Sequence, residues 1–414
     1  MIVEQEKQGV MLDDFDANHL TSWLLTCGVY AYQMILRVMP VVMLDYLARK
    51  VGFNAGQLGM LVGVYYLGYC FAHIPIGLML DHFQPRNVIS GCILVCVAGL
   101  YLTIFATSQF EIFASRFLIG AGSAGGILGA LKASADFYPS KFGVVLGFTI
   151  LFGIVGAYFG AEPIKIALAS FSYEQVIRGI ILFGIMLAAT VGVMYSHTRR
   201  STLLNAKPAM STLAECIKNK KLWSIGICTG LMVGPLSGFA DLWGGNYLLQ
   251  IHNLTSWESS LSITLIFVGL GVGSLVLGFL SKRLASQSRM IVYMGLGAIA
   301  TLMILFGVPL LNVKVIYALC TVIGLLSAYQ LLGFTMAHKL LAGQNVSVSM
   351  ALLNMIIMLF GFIYHGLIGF ILDTFFISST TDALVYGADA YQAAFSVVLG
   401  GIVIGVIGFW SMKE

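Results

Sequence analysis

The chain has 414 residues, 59% of them hydrophobic and only 10% charged, with a net charge of +4. A soluble domain typically carries about 25% charged residues, so this composition excludes an ordinary water-soluble protein. In hydrocarbon every backbone N–H and C=O must be paired within the protein, which leaves helices or a closed barrel. Apolar runs of about 20 residues without strand alternation select helices.

Residues 1–19, "MIVEQEKQGVMLDDFDANH", are acidic and polar, without a basic start or a small-residue cleavage site. They read as a tail and not as a signal peptide. Twelve apolar spans follow, near 20–46, 56–80, 87–107, 109–134, 141–167, 173–196, 223–250, 257–281, 288–309, 313–337, 346–372 and 390–412. In span 1, "VYAYQMILRVMP" (29–40) places Gln33 and Arg37 in the apolar run. An arginine at the centre of a membrane helix costs about 2.5–3.5 kcal/mol on insertion scales, so it belongs against a cavity or a partner. Its charged fork suits a carboxylate or a phosphate, from a substrate or from a structural ion pair. Span 2 sets Tyr65, Tyr69 and His73 at i, i+4 and i+8. That stripe suits either a hydrogen-bonding cavity wall or packing against a neighbouring span.

Span 2 closes with "GLMLDHFQPR", containing Gly77, Asp81 and Arg86; span 4 contains "IFASRFLIGAGSA", with Arg116, Gly120 and Gly122. Lys132, in "ALKASADF" beside Asp136, is expected to extend its ammonium to the interface. Glu162 and Lys165 in span 5 are spaced for a local ion pair. The longest polar interruption, 197–222, divides the chain into bundles 20–196 and 223–414 joined by a linker. In the second bundle "GFLSKRLASQSR" echoes "GLMLDHFQPR", and glycines in span 11 echo those in span 5. Span 7 holds Asp241 and Asn246 in "GFADLWGGNYL". Aligning Cys27 with Cys228 also aligns Tyr46 with Tyr247, and sets Arg37 within a turn of the level of Asp241. A facing pair would bind both ends of a zwitterion or carry a proton on the carboxylate. Tyr329 and Gln330 in span 10, with Asn354, Tyr364 and His365 in span 11, are candidates for the opposite wall.

The loop after span 2 and the span 4 motif resemble two signatures of the major facilitator superfamily. The first departs from the family pattern at Gln84, where a glycine is usual, and at Pro85, where a basic residue is usual. The third signature, a glycine-proline bend in span 5, is only partly present. The resemblance covers essentially the whole chain and implies an all-α integral membrane fold, with twelve transmembrane helices in two pseudo-symmetric six-helix bundles and the site between them. It also implies a gate formed by Gly77, Asp81 and Arg86, with Asp136 near them and Asp81 beside the N-terminus of span 11. Arg116 resembles an arginine that the family links to proton coupling. "YQMILRVMP" with "FADLWGGNYL" is similar to a bacterial branch of the superfamily. Phosphate-ester exchangers in the family tend to pair arginines from spans 1 and 7, which the aspartate at 241 disfavours.

Lysine and arginine collect on the side of the two termini, at Arg86, Lys141, Arg199, Arg200, Lys207, Lys218, Lys220, Lys221, Lys282, Arg283, Arg289 and Lys339. By the positive-inside rule both termini are cytoplasmic; the short central loop and the lack of glycosylation-rich outer loops fit a cell inner membrane of a bacterium, with a eukaryotic membrane as the alternative, and the net charge gives no reason to invoke nucleic acid. The seven cysteines lie in spans or on that inner side, and no metal centre, disulfide or cofactor is expected. "GAGSAGGILGALKAS" lacks the paired Gly-Lys-Ser/Thr of a phosphate loop, so the chain is no enzyme and is not driven directly by ATP. The expected function is secondary active transport of a small organic anion or zwitterion (a carboxylate, an amino acid or a short peptide), coupled to protons, by a monomer in the lipid bilayer. Its expected ligands are Arg37, Gln33, Tyr65, Tyr69, Asp241, Asn246, Tyr329, Asn354 and His365, with Asp241 and Arg116 coupling protons. Drug or metabolite efflux by proton antiport is the alternative, and a non-transporting sensor a remoter one.

Overall fold

The computed structural model describes residues 17–43, 51, 55–196, 209–281, 283–341, 346–374, 376–380 and 383–412. Spans 1 to 6 are the helices Ala17–Val42, Ala55–His82, Pro85–Phe105, Gln109–Phe137, Phe142–Leu168 and Tyr173–Met194. A short helix, Ala209–Lys218, occupies part of the expected linker, and span 7 starts at Lys220. Span 7 consists of Lys220–Gly238, a π-helical turn Phe239–Trp243, and Gly244–Ile251. Spans 8 and 9 are Ser256–Leu280 and Gln287–Gly307; span 10 is Val313–Ser327 followed by Tyr329–Leu340; spans 11 and 12 are Val346–Thr374 and Ala388–Ser411.

Among the described residues eleven helical spans are long and apolar enough to cross a membrane. Span 1 is the twelfth helix and is outside that set: it has the length, at 26 residues, but carries Gln33 and Arg37 on its inner face. The expected last loop also differs, since β1 (Phe376–Thr380) and β2 (Ala383–Tyr386) form an antiparallel hairpin. "FISST" and "ALVY" are rich in β-branched and aromatic residues, which favour strands. The tail 1–16 and the basic residues Arg199, Arg200, Lys207 and Lys282 lie outside the described residues, as does the side chain of Glu162.

Local chemistry sets the helix starts. Ser108 with Glu111, Ser172 with Gln175 and Thr255 with Glu258 each form a reciprocal capping box, at spans 4, 6 and 8. Each box satisfies two backbone donors that the first turn would otherwise leave unpaired. Pro85 opens span 3, where its missing N–H costs nothing.

In the first bundle span 1 packs on 5, span 2 on 4, and span 3 on 4 and 6; in the second, span 7 packs on 11, span 8 on 10, and span 9 on 10 and 12. The second pattern is the first displaced by six, the packing signature of a duplicated unit. A glycine supports it in each half. A Cβ on Gly120 would overlap the Tyr65 carbonyl of span 2, and a Cβ on Gly324 would overlap the Ile266 carbonyl of span 8. Only a residue without a side chain lets those backbones touch.

The bundles meet along two seams, span 2 with 11 and span 5 with 8. At the face carrying the N-terminus of span 1, Phe142 stacks on His338 with centroids 4.1 Å apart, and Gly143 lies against Gly278. Apolar side chains such as Phe71, Phe110, Phe370 and Trp410 are exposed on the outer surface, while Arg116, Gln33, Asn354 and His365 are buried inside. That inversion suits hydrocarbon as the surrounding solvent.

Candidate functional site

Asp241 sits in the π turn of span 7, where one extra residue per turn re-aims the side chains. Its Oδ2 accepts hydrogen bonds from Arg37 Nη2 of span 1 and from the Tyr66 hydroxyl of span 2, the latter at 2.8 Å. The Arg37–Asp241 ion pair therefore joins the two bundles, and both side chains are largely buried, at 17% and 11% exposed. The Arg37 guanidinium also lies over the Tyr66 ring, 5.2 Å from its centroid. From span 11, His365 comes within 4.0 Å of Asp241. Its Nδ1 donates to the Gly361 carbonyl at 2.7 Å, which leaves Nε2 facing the carboxylate without a hydrogen-bond partner among the described residues.

A second polar chain crosses the same seam with no charge. The Tyr69 hydroxyl accepts from Gln33 Nε2 at 3.1 Å and from Asn354 Nδ2 at 3.4 Å. Gln33 Oε1 accepts from the Ile127 N–H at 3.2 Å, and Asn354 Nδ2 donates to His73 Nε2 at 2.6 Å. His73 completes the chain by donating from Nδ1 to the Tyr69 carbonyl. Both sets border one cavity of about 80 Å³, whose polar lining includes Gln33, Arg37, Tyr69, Asp241, Gln330 and Asn354. Its apolar wall comes from residues such as Leu146, Ile150, Leu236 and Phe267 of both bundles. A fixed cation, a carboxylate and neutral hydrogen-bonding groups thus share one largely buried space between the bundles.

Five of the nine expected ligands line that cavity: Gln33, Arg37, Tyr69, Asp241 and Asn354. His365 stands directly behind Asp241. The others are placed elsewhere. Tyr65 turns away from the cavity and covers Arg116, whose guanidinium carbon is 4.9 Å from the ring centroid. Tyr329 is buried and donates to the Met232 carbonyl at 2.7 Å, so it ties span 10 to span 7 while its neighbour Gln330 lines the cavity. Asn246 is exposed, beyond the π turn. Arg116 is buried in the first bundle and outside the lining. Tyr66 is the residue that the sequence reading missed. The four-residue stripe selects Tyr65, and the adjacent Tyr66 lies a further 100° round the helix, toward span 11 and Asp241.

Sequence comparison places this geometry in a family. The model of the major facilitator superfamily matches residues 23–364. The chain belongs to that superfamily. Within it, the nitrate/nitrite transporter NrtP of Nostoc punctiforme is 30% identical over 165 residues, which is 38% of this chain and 33% of that protein. The probable sulfoacetate transporter SauU of Cupriavidus necator is 25% identical over 161 residues, 38% of this chain and 37% of that protein. The chain thus spans about a third of the length of the curated relatives it matches. In fold, it is similar to the Escherichia coli fucose:proton symporter FucP, with a TM-score of 0.69, 15% identity, and coverage of 96% of this chain and all of that one. A bacterial homologue of the human lysosomal transporter Spinster, in an inward-facing state, gives a TM-score of 0.61 at 15% identity over 95% of each chain.

The motif that closes span 2 lies at the face carrying the N-terminus of span 1. Asp81 Oδ2 accepts from the Val348 N–H at 3.1 Å, in the first turn of span 11. A carboxylate beside a helix N-terminus gains about 0.3–1 kcal/mol, and more when partly buried. Lys132 Nζ lies 3.7 Å from Asp81 Oδ1 and 3.2 Å from Asp136 Oδ2. The lysine therefore stays at 11% exposure between two acids and does not reach out to the interface as expected. Arg86, expected beside Asp81, instead donates from Nε to Gln84 at 2.9 Å. Gly77 is buried one turn before Asp81.

Proposed function

We propose that the chain is a secondary active transporter working by alternating access, and that it carries a small anion or zwitterion together with protons. The single observation that carries this reading is the Arg37–Asp241 pair joining the bundles at the cavity. Breaking such a pair without replacement is unfavourable in a low dielectric. A substrate carboxylate, sulfonate or comparable anion replaces Asp241 on Arg37, and Asp241 then takes up a proton so that no charge is stranded. Tyr66 holds the carboxylate before that exchange, and Gln33, Tyr69 and Asn354 offer hydrogen bonds to the uncharged part of the substrate. Binding and proton uptake are linked because one carboxylate cannot both pair with Arg37 and yield it.

The printed substrates of the two curated relatives, nitrate or nitrite and sulfoacetate, are anions, which supports an anionic ligand here. FucP is a proton symporter, which supports the mode of coupling. A cavity of about 80 Å³ is far below the several hundred usual for drug-sized ligands, and that favours a small solute over efflux of bulky compounds. The lysine and arginine distribution supports cytoplasmic termini, and the short central loop fits an inner membrane. In that orientation the contact of Asp81 with Val348, buttressed by Lys132 and Asp136, latches the cytoplasmic gate.

Thermal unfolding of the purified protein against nitrate, sulfonates, carboxylates, amino acids, dipeptides and cationic drugs tests the proposal. A ligand that binds only the folded state stabilises it by about 2.7 kcal/mol at a hundredfold over its dissociation constant. The reading requires that an anionic or zwitterionic class raises the midpoint and that Arg37→Ala abolishes the shift. Stabilisation by cationic or lipophilic compounds alone, kept in the variant, would overturn it.

A further inference from the structure

Pro40 stands inside the helix of span 1, three residues after Arg37. Proline has no N–H, so the carbonyl four residues earlier, that of Leu36, loses its helical donor. A carbonyl released in this way within a membrane needs another donor from a neighbouring helix. Arg116 of span 4 supplies one, donating from Nη1 to the Leu36 oxygen at 3.0 Å. The rest of the guanidinium has little else to hold. It is buried, with 3% of the residue exposed, beneath the Tyr65 ring. No carboxylate among the described residues pairs with it, and its Nε and Nη2 have no hydrogen-bond partner among them.

Among the described residues this buried arginine meets no acid, a costly placement that calls for a function a neutral residue does not serve. The carbonyl it meets belongs to the peptide group that joins Leu36 to Arg37. We propose that Arg116 is a positioning residue: it replaces the hydrogen bond removed by Pro40, fixes the course of span 1 at Leu36, and thereby aims Arg37 at Asp241. Proline, released carbonyl and arginine form one device, in which the carbonyl that Pro40 frees depends on Arg116 for its donor. This differs from a role in moving protons, where Arg116 would act through its charge and the residue at 40 would be irrelevant.

The two roles separate in a crossed pair of substitutions read at Arg37 itself. Full-length protein in nanodiscs is treated with phenylglyoxal, which reacts with guanidinium groups, and the modification rate of Arg37 is read by mass spectrometry. Exposed Arg178, paired with Glu174 in the first turns of span 6, serves as internal standard. Arg116→Leu is expected to raise the Arg37 rate at least about tenfold, on the scale of losing one hydrogen bond from a charged donor. Pro40→Ala, which restores the N–H for Leu36, is expected to leave the rate low on its own and to return the double variant to within about twofold of the parent. An unchanged Arg37 rate in Arg116→Leu, or a rate that stays high in the double variant, overturns the proposal. If Arg116→Leu does not fold, recovery of folded protein on adding Pro40→Ala supports it and failure to recover overturns it. No substrate is needed, so this result stands apart from the fate of the transport reading.

Discussion

Removing Arg37 alone should harm the protein more than removing the whole ion pair. In Arg37→Met the side-chain volume is roughly kept, but Asp241 remains largely buried with, among the described residues, the Tyr66 hydroxyl as its remaining close donor. Breaking one side of a buried pair costs about 3–5 kcal/mol. The residual exposure of both side chains places the expected loss at the lower end of that range, about 3 kcal/mol. Arg37→Met with Asp241→Leu should return to within about 1 kcal/mol of the parent, because two apolar groups need no partner. Tyr66→Phe, which removes one bond to a charged acceptor, should cost about 1.5 kcal/mol. The assay is a double-mutant cycle of unfolding midpoints in nanodiscs at pH 7, where the coupling appears as non-additivity. Additive single and double variants, or an Arg37→Met loss below about 0.5 kcal/mol, would refute the buried pair.

Three further outcomes follow from other parts of the molecule. Asp81→Ala removes the acceptor for the Val348 N–H and should weaken the contact of spans 2 and 11 by about 1 kcal/mol. Buried Cys216, 3.3 Å from Ser349 at the same end of span 11, should then alkylate about fivefold faster, an equal rate counting against the latch. Gly120→Ala forces spans 2 and 4 apart, since its Cβ would overlap the Tyr65 carbonyl; a loss of about 1–3 kcal/mol in unfolding is expected for such overpacking. At the opposite face burial holds the His252 imidazole below its ordinary value, with Nδ1 accepting from the Leu311 N–H and Nε2 facing the Leu305 carbonyl. Because the folded protein resists the proton more than the unfolded chain does, this contribution is complete above about pH 6.5 and is lost as the pH falls through the folded value. The midpoint should fall less between pH 7 and pH 5 in His252→Gln than in the parent.

The parts legible in the sequence were those that lipid enforces. Length and apolarity had to mark the spans, and a charge inside a span had to find a partner, so Arg37 and Asp241 stood out from a largely uncharged background. The duplicated halves made even their common level readable, through the alignment of Cys27 with Cys228. Less legible were residues whose role depends on the direction of a side chain within one turn. Tyr65 and Tyr66 are neighbours in sequence and 100° apart on the helix, and only the packing of span 2 against span 11 tells which of them reaches Asp241. Lys132 looked like a residue free to extend outward because the two acids that hold it, Asp81 and Asp136, are fixed there by tertiary packing. The π turn that carries Asp241 leaves no clear trace in "GFADLWGG", since an added backbone residue does not change the apolar pattern. Likewise, the link of Arg116 to Pro40 passes through a carbonyl, which no residue-type motif records.

The central claim is that one carboxylate exchanges Arg37 for a proton when an anion binds. Its most direct test is uptake into proteoliposomes holding an internal pH indicator, with nitrate, sulfoacetate and a carboxylate panel supplied outside, for the parent and for Asp241→Asn. The account predicts that at least one anion enters with acidification of the lumen, and that Asp241→Asn still exchanges that anion across the membrane without moving protons. Anion entry with no acidification in the parent, or coupled acidification that persists in Asp241→Asn, would contradict it.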